Sequence, residues 1–178
     1  THRSLPDEPL VVGYDAANGG LAKHVFAFRR GLDGKSIPPI ILPGDTQRDQ
    51  VVAVGCEIMA NRTPGRIVSA MFGDMMFGAV ILERIRNTGY TNVFEVNGAE
   101  TRVDPKFYNM RAQMWFQMRE WLGTGSIPDN DKISAELQGP GYSHRNGKLI
   151  IESKDSMKKR GVASPDVADA YAYTWFRK

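Results

Sequence analysis

Between Leu10 and Asn97 the hydrophobic period of the chain switches back and forth between two residues and about 3.6, and this order restricts the folds open to it. LVVGY, Leu10 to Tyr14, reads as a short apolar strand that runs out at Asp15 and the small residues Ala16 to Gly20. KHVFAFRR, Lys23 to Arg30, alternates apolar and polar residues as a half-buried strand does. The turn GLDGKS leads to IPPIIL, Ile37 to Leu42, whose two prolines suit a sheet edge because proline has no N–H for a central ladder. These three segments predict an antiparallel meander. TQRDQVVAVGCEIMANR then predicts a helix with Thr46 as N-cap and Val51, Val54, Ile58 and Met59 on one face. RIVSAMFGD reads as a buried strand ending at Asp74, MMFGAVILERIRNTG as a helix closed by Gly89, and Thr91 to Asn97 as a further strand. Such alternation calls for crossover connections and parallel pairing. The expected architecture is α/β: a mixed five-stranded sheet, a meander plus two parallel strands, flanked by helices. A doubly wound sheet is the alternative.

Beyond Asn97 the spacing predicts a long helix from Tyr108 to Leu122, with Met110, Met114, Trp115, Met118 and Trp121 as its core-facing stripe. DNDKISAELQ predicts a shorter helix. YSHRNGKLIIESK predicts an inserted β-hairpin, since Asn146-Gly147 is a strong two-residue turn signal. SKDSMKKRG is a short polar helix, and Ser164-Pro165 opens the last helix with Pro165 at its first position.

At 178 residues, with 42% hydrophobic and 24% charged residues, the chain suits one globular domain rather than a disordered segment. THRSLPDEP reads as a linker, so residues 1–8 are expected to lead in from a preceding domain and residues 9–178 to form the domain itself. No apolar run reaches the roughly 18 residues of a membrane span. The lone Cys56 excludes an intrachain disulfide and a multi-cysteine zinc site, and its setting reads as a buried small hydrophobe. The three histidines are far apart, which also disfavours zinc. GLDGKS is no phosphate-binding loop: Arg29 stands where the first glycine is needed, and the segment joins two strands.

Acidic residues at element ends are the chemistry-bearing candidates. Asp15 follows an apolar strand, where parallel-sheet proteins gather functional groups, although a turn aspartate reads equally well. Asp74 repeats that position, with helix capping as the plainer role. Asp166 and Asp169 are three apart near the start of the last helix and share a face. The helix dipole accounts for Asp166, but less well for Asp169, an acid within AVADAYAY that needs a buried partner such as a metal. Lys158, Lys159 and Arg160 precede that helix, and Arg145 and Lys148 flank the hairpin turn. They are candidates for phosphate contact or simply a solvated face, and a net charge of +3 is weakly compatible with a polyanionic partner.

ESKDSMKKRGVASPDVADAYAYTW, Glu152 to Trp175, resembles the end of the C-terminal nuclease domain of tailed-phage large terminases. NMRAQMWFQMREWL, Asn109 to Leu122, is similar to the helix that precedes that motif, and VVGYDAANGG resembles the first strand of these domains. The resemblance implies an RNase H-like fold and a DNA endonuclease that cleaves concatemeric viral DNA. It implies Asp15, Asp74 and Asp169 as catalytic, metal-binding carboxylates, with Asp166 accessory and Lys154 near the substrate phosphate. Two Mg²⁺ or Mn²⁺ ions are the implied cofactors, with no ATP in this domain. The implied partners are double-stranded DNA, an ATPase domain of the same protein, the portal and the small terminase subunit, in the host cytoplasm. The chain departs from the family in DMMFG, where only Gly78 follows Asp74; Glu83 lies too far along the helix to replace it. A junction resolvase or transposase-type nuclease of the same fold is one rival reading. A non-catalytic module that grips DNA or docks on the portal is the other.

Overall fold

The structure is a computed structural model that describes residues 7–177; residues 1–6, most of the expected linker, and Lys178 lie outside the described residues. Strands β1 (Leu10–Asp15), β2 (His24–Arg30) and β3 (Ile40–Leu42) form the meander. Helix α1 (Arg48–Ala60), strand β4 (Val68–Asp74), helix α2 (Met75–Asn87) and strand β5 (Val93–Val96) complete the sheet. Its order is β3-β2-β1-β4-β5, antiparallel from β3 to β1 and parallel from β1 to β5. The expected α/β sheet of RNase H-like type is therefore present, and the short, proline-preceded β3 lies at its edge. The chain continues with α3 (Met110–Leu122), α4 (Asp131–Gln138), the hairpin strands β6 (Tyr142–Arg145) and β7 (Lys148–Ile151), α5 (Lys154–Lys159) and α6 (Asp166–Tyr173).

Strand alternation divides the core between the two faces of the sheet. Leu10, Val12 and Tyr14 of β1 pack with Val51, Ile58, Ile81 and Ile85 of α1 and α2. The other face receives α3 and α6, with Met114, Met118, Trp121, Ala168 and Ala172. Gly13 belongs to that second face, and a Cβ on it would stand 1.8 Å from the carbonyl oxygen of Ala170. The missing side chain lets the α6 backbone rest directly on β1, which carries Asp169 toward Asp15. In the hairpin, Asn146 (φ 52°) and Gly147 (φ 75°) adopt the left-handed pair that a type I′ turn demands.

Several expectations need correction. β2 is buried on both faces rather than half-buried, with Val25 and Ala27 in one core and Phe26 and Phe28 in the other. β3 begins at Ile40, after both prolines, rather than at Ile37. Thr46 is not the cap of α1: Gln47 holds that position without a side-chain cap bond, and the Thr46 hydroxyl donates to the carbonyl of Pro43. Pro165 sits one residue before α6, at the N-cap, where a proline has no side-chain acceptor to offer. Glu136 of α4 supplies one instead, accepting from the N–H groups of Val167 and Ala168 at 2.7 and 3.1 Å. Cys56 is half-buried rather than buried, packed at the margin of the core with Sγ 3.6 Å from the Thr88 hydroxyl.

Candidate active site

Because β1 and β4 are parallel, their final residues, Asp15 and Asp74, emerge at the same end of the sheet. They line one cleft of about 370 Å³ together with Asp169, Lys154, Arg111 and Tyr173. The Lys154 ammonium is its electrostatic centre. It lies 3.1 Å from Asp15 Oδ2, 3.0 Å from Asp169 Oδ2 and 3.9 Å from Asp166 Oδ1. Two carboxylates separated by 154 positions in sequence thus share one cation.

Each acid is held differently. Asp15 is 2% exposed and its carboxylate accepts from Lys154. Asp169 is 4% exposed; its Oδ1 accepts from Trp115 Nε1 at 2.7 Å and from Arg111 Nη2 at 3.2 Å. Its Oδ2 is buried and faces Lys154 without a well-directed hydrogen bond. Asp166 is turned partly aside, accepting from the Lys23 N–H at 2.8 Å and from the Ser164 hydroxyl. Asp74 caps α2, accepting from the N–H groups of Met76 at 3.1 Å and Phe77 at 2.7 Å, and the Tyr173 hydroxyl lies 3.5 Å from its Oδ1. The capping role open to Asp74 in the sequence is therefore real, and it coexists with a place in the cleft wall.

Burial pushes the Asp15 carboxyl well above the usual range, and the nearby Lys154 offsets this only in part. Burial acts on Asp169 in the same sense, but Arg111, Lys154 and the Trp115 N–H outweigh it and hold that carboxyl below its ordinary value. Burial would discharge Lys154, yet Asp169 and Asp15 hold its pKa above the usual lysine value. Tyr173 is shifted far upward by burial and by Asp15, Asp74 and Asp169, so its hydroxyl keeps its proton.

The donor chemistry suits a hard divalent cation: carboxylate oxygens, one buried with no hydrogen bond, converge where a positive charge already sits. Among the described residues no three acidic, histidine or cysteine side chains are arranged to cage an ion. Lys154 stands between them, and its flexible stem would have to turn for an ion to take its place.

The proposed basic contacts lie outside this cluster. Lys158 and Lys159 are exposed on α5. Arg160 is bound to Glu152 at 2.7 Å and to the Gly139 carbonyl at 3.0 Å. Arg145 lies over the Tyr108 ring, 4.8 Å from its centre, and Lys148 pairs with it across the hairpin. Glu83 is exposed two turns along α2.

Sequence reasoning treated Trp115 as core packing and passed over Arg111 and Tyr173. A signal for them existed. Arg111 and Trp115 are four apart on α3, as Asp169 and Tyr173 are on α6, and such pairs share a helix face. Nothing in the sequence pointed to Glu136 as the cap of α6.

No protein-family model and no curated protein sequence matches the chain. Solved structures do. The nuclease domain of the large terminase subunit gp2 of bacterial virus Sf6 superposes with a TM-score of 0.72 at 20% identity, over 96% of this chain and 89% of that one. The large terminase nuclease from thermophilic phage G20c gives 0.61 at 17% identity, over 97% and 83%. A mutant of the Sf6 domain was solved with manganese, and the G20c nuclease with bound magnesium and with bound cobalt. The sheet and its flanking helices thus have the RNase H-like architecture of terminase nucleases. At this identity the likeness establishes the fold.

Proposed function

We propose that this chain is the nuclease domain of a phage DNA-packaging large terminase, a divalent-metal-dependent endonuclease that cuts concatemeric viral DNA. The convergence of Asp15 and Asp169 on one cation, in a cleft that Asp74 also lines, is the observation that carries the reading. Buried carboxylates in an otherwise apolar body contribute little to stability by themselves, so a recruited cation is the simplest reason for keeping them. The likeness in fold to terminase nucleases and the motif from Glu152 to Trp175 support the same conclusion.

Asp15, Asp74 and Asp169 are the residues that would hold the metals, with Asp166 accessory. Two Mg²⁺ or Mn²⁺ ions there would supply an acidified water and neutralise the charge that develops on the leaving oxygen. The chain's own groups prepare for this. Trp115 and Arg111 fix Asp169 by one oxygen and leave the other facing the cleft. Lys154 balances the acids before loading, and its ammonium can then move to a non-bridging phosphate oxygen. Lys158, Lys159, Arg160, Arg145 and Lys148 would track the DNA backbone, giving steep salt dependence and little sequence preference. An ATPase domain, the portal and the small terminase subunit are the partners this role entails, in the host cytoplasm.

Supercoiled plasmid incubated with the protein and Mn²⁺ or Mg²⁺, without ATP, should be nicked, and the Asp15→Ala protein should leave it intact. Intact plasmid with both ions and both proteins would remove the assignment. Strong preference for four-way junctions would move it to a resolvase-type nuclease.

A further inference from the structure

Helix α2 exposes two different surfaces along its length. In its second half the exposed residues include Glu83, Arg84 and Asn87, as expected of a solvated face. In its first half they are Met75, Met76, Phe77 and Val80, exposed by 48, 82, 49 and 45%. The core does not require these four: α2 already buries Gly78, Ile81, Leu82 and Ile85 against the sheet. Met76 and Val80 are four residues apart and Phe77 and Val80 three, so they form one stripe.

The stripe has a defined location. Met75, Met76 and Phe77 line the same cleft as Asp15, Asp74 and Asp169. Asp74 fixes it there by accepting the N–H groups of Met76 and Phe77, so the acid and the apolar side chains are parts of one helix start. A substrate group held at the carboxylates therefore lies beside these side chains.

We propose that Met76 and Phe77 act as an apolar wedge on duplex DNA held at the cleft, opening the base step beside the phosphate to be cut. The inference rests on the nuclease reading and extends it to how the duplex is held. Phosphates and basic side chains cannot satisfy a methionine and a phenylalanine exposed at a nuclease mouth; sugar faces and base edges can. Methionine and phenylalanine are among the residues that proteins insert between base steps, and the unstacking they cause is offset by the closer contact of the kinked duplex. A kink at that step would also bring the backbone phosphate closer to the carboxylates that line the cleft.

The test uses a duplex carrying 2-aminopurine, which brightens when its stacking is lost, with Ca²⁺ in place of Mg²⁺ to slow cutting. DNA binding is followed by anisotropy, and plasmid nicking in Mn²⁺ is measured in parallel. Wild-type protein should raise the emission several-fold on binding. The M76A/F77A protein should lose that rise and nick more slowly, while M76L/F77L should recover most of it. The thermal stabilisation by Mn²⁺ should survive in both variants, because the carboxylates are untouched. Binding without any rise in emission, or a rise that persists in M76A/F77A, would overturn the wedge and leave the nuclease reading standing. Altered self-association of M76A/F77A with unchanged DNA behaviour would assign the stripe to a protein contact instead. Failure of the wild-type protein both to bind and to nick DNA would overturn the nuclease reading and the wedge together.

Discussion

Asp15 and Glu152 both meet a cation across this molecule, in opposite circumstances. Glu152 lies near the surface beside the hairpin. Its carboxylate accepts from Arg160 at 2.7 and 2.9 Å, from the Ser156 hydroxyl at 2.9 Å and from the Gly141 N–H at 2.9 Å. Those partners, Arg160 first, hold its pKa down to about 2. Asp15 is buried and has Lys154 as its partner, and its carboxyl rises. The comparison teaches that an ion pair does not by itself define a role. Glu152 is fully served by its neighbours and fastens the hairpin to α5. Asp15 is under-served, and an added divalent cation would improve its surroundings.

The largest effect expected from this contrast is on cleavage. Asp15→Asn should reduce plasmid nicking by at least about two orders of magnitude, the scale seen when a group that stabilises developing charge is lost. Glu152→Gln should leave nicking within a small factor of wild type. Equal losses in the two variants, in a gel-based nicking assay, would erase the distinction between them.

Lys154→Ala should lower stability by about 1–3 kcal/mol without metal, because buried acids lose their cation. The effect falls short of a fully buried pair, since the Lys154 side chain is 36% exposed and solvent screens it. Mn²⁺ should restore more stability to this variant than to wild type, as differential scanning fluorimetry would show. A smaller restoration would mean that Lys154 does not occupy the cation's place.

Trp115→Phe removes the N–H that anchors Asp169 and should lower stability by ~1.5–3 kcal/mol, the range for a hydrogen bond to a charged group. Urea denaturation measures it. Unchanged stability would show that Arg111 alone can hold the carboxylate.

The smallest effect is a pH dependence. Glu152 has a folded-state pKa below its unfolded value, so its contribution is present above the ordinary glutamate range and lost as pH falls through about 2. Urea midpoints taken between pH 5 and pH 2.5 should fall less steeply for Glu152→Gln than for wild type. Asp15 has the opposite sign, since its raised pKa makes the ionised form costly as pH increases. In the absence of metal, Asp15→Asn should therefore flatten part of the decline in stability at higher pH.

Much of the architecture was legible because its causes are local. The edge position of β3, the Asn146-Gly147 turn and the stripe on α3 each have causes within a few residues, and each appears as expected. The half-burial expected of β2 does not, because helices cover both faces of the sheet: Val25 and Ala27 enter one core and Phe26 and Phe28 the other. The positions of Asp15 and Asp74 at strand ends followed from the same patterns. The misplaced details were also local. Thr46 and Pro165 each sit one residue from the expected position, because competing acceptors, the Pro43 carbonyl and Glu136, decide where those helices begin.

By itself, the sequence determined which segments are strands and helices and that carboxylates close two of the parallel strands. Only the tertiary structure decided that Asp169 would face Asp15 across Lys154, that Trp115 and Arg111 would claim one of its oxygens, and that the apolar start of α2 would border the same cleft. Periodicity and capping reach about one helical turn along the chain. Partners more than a hundred positions apart are chosen by packing, here by the absence of a side chain at Gly13 that lets α6 lie against β1.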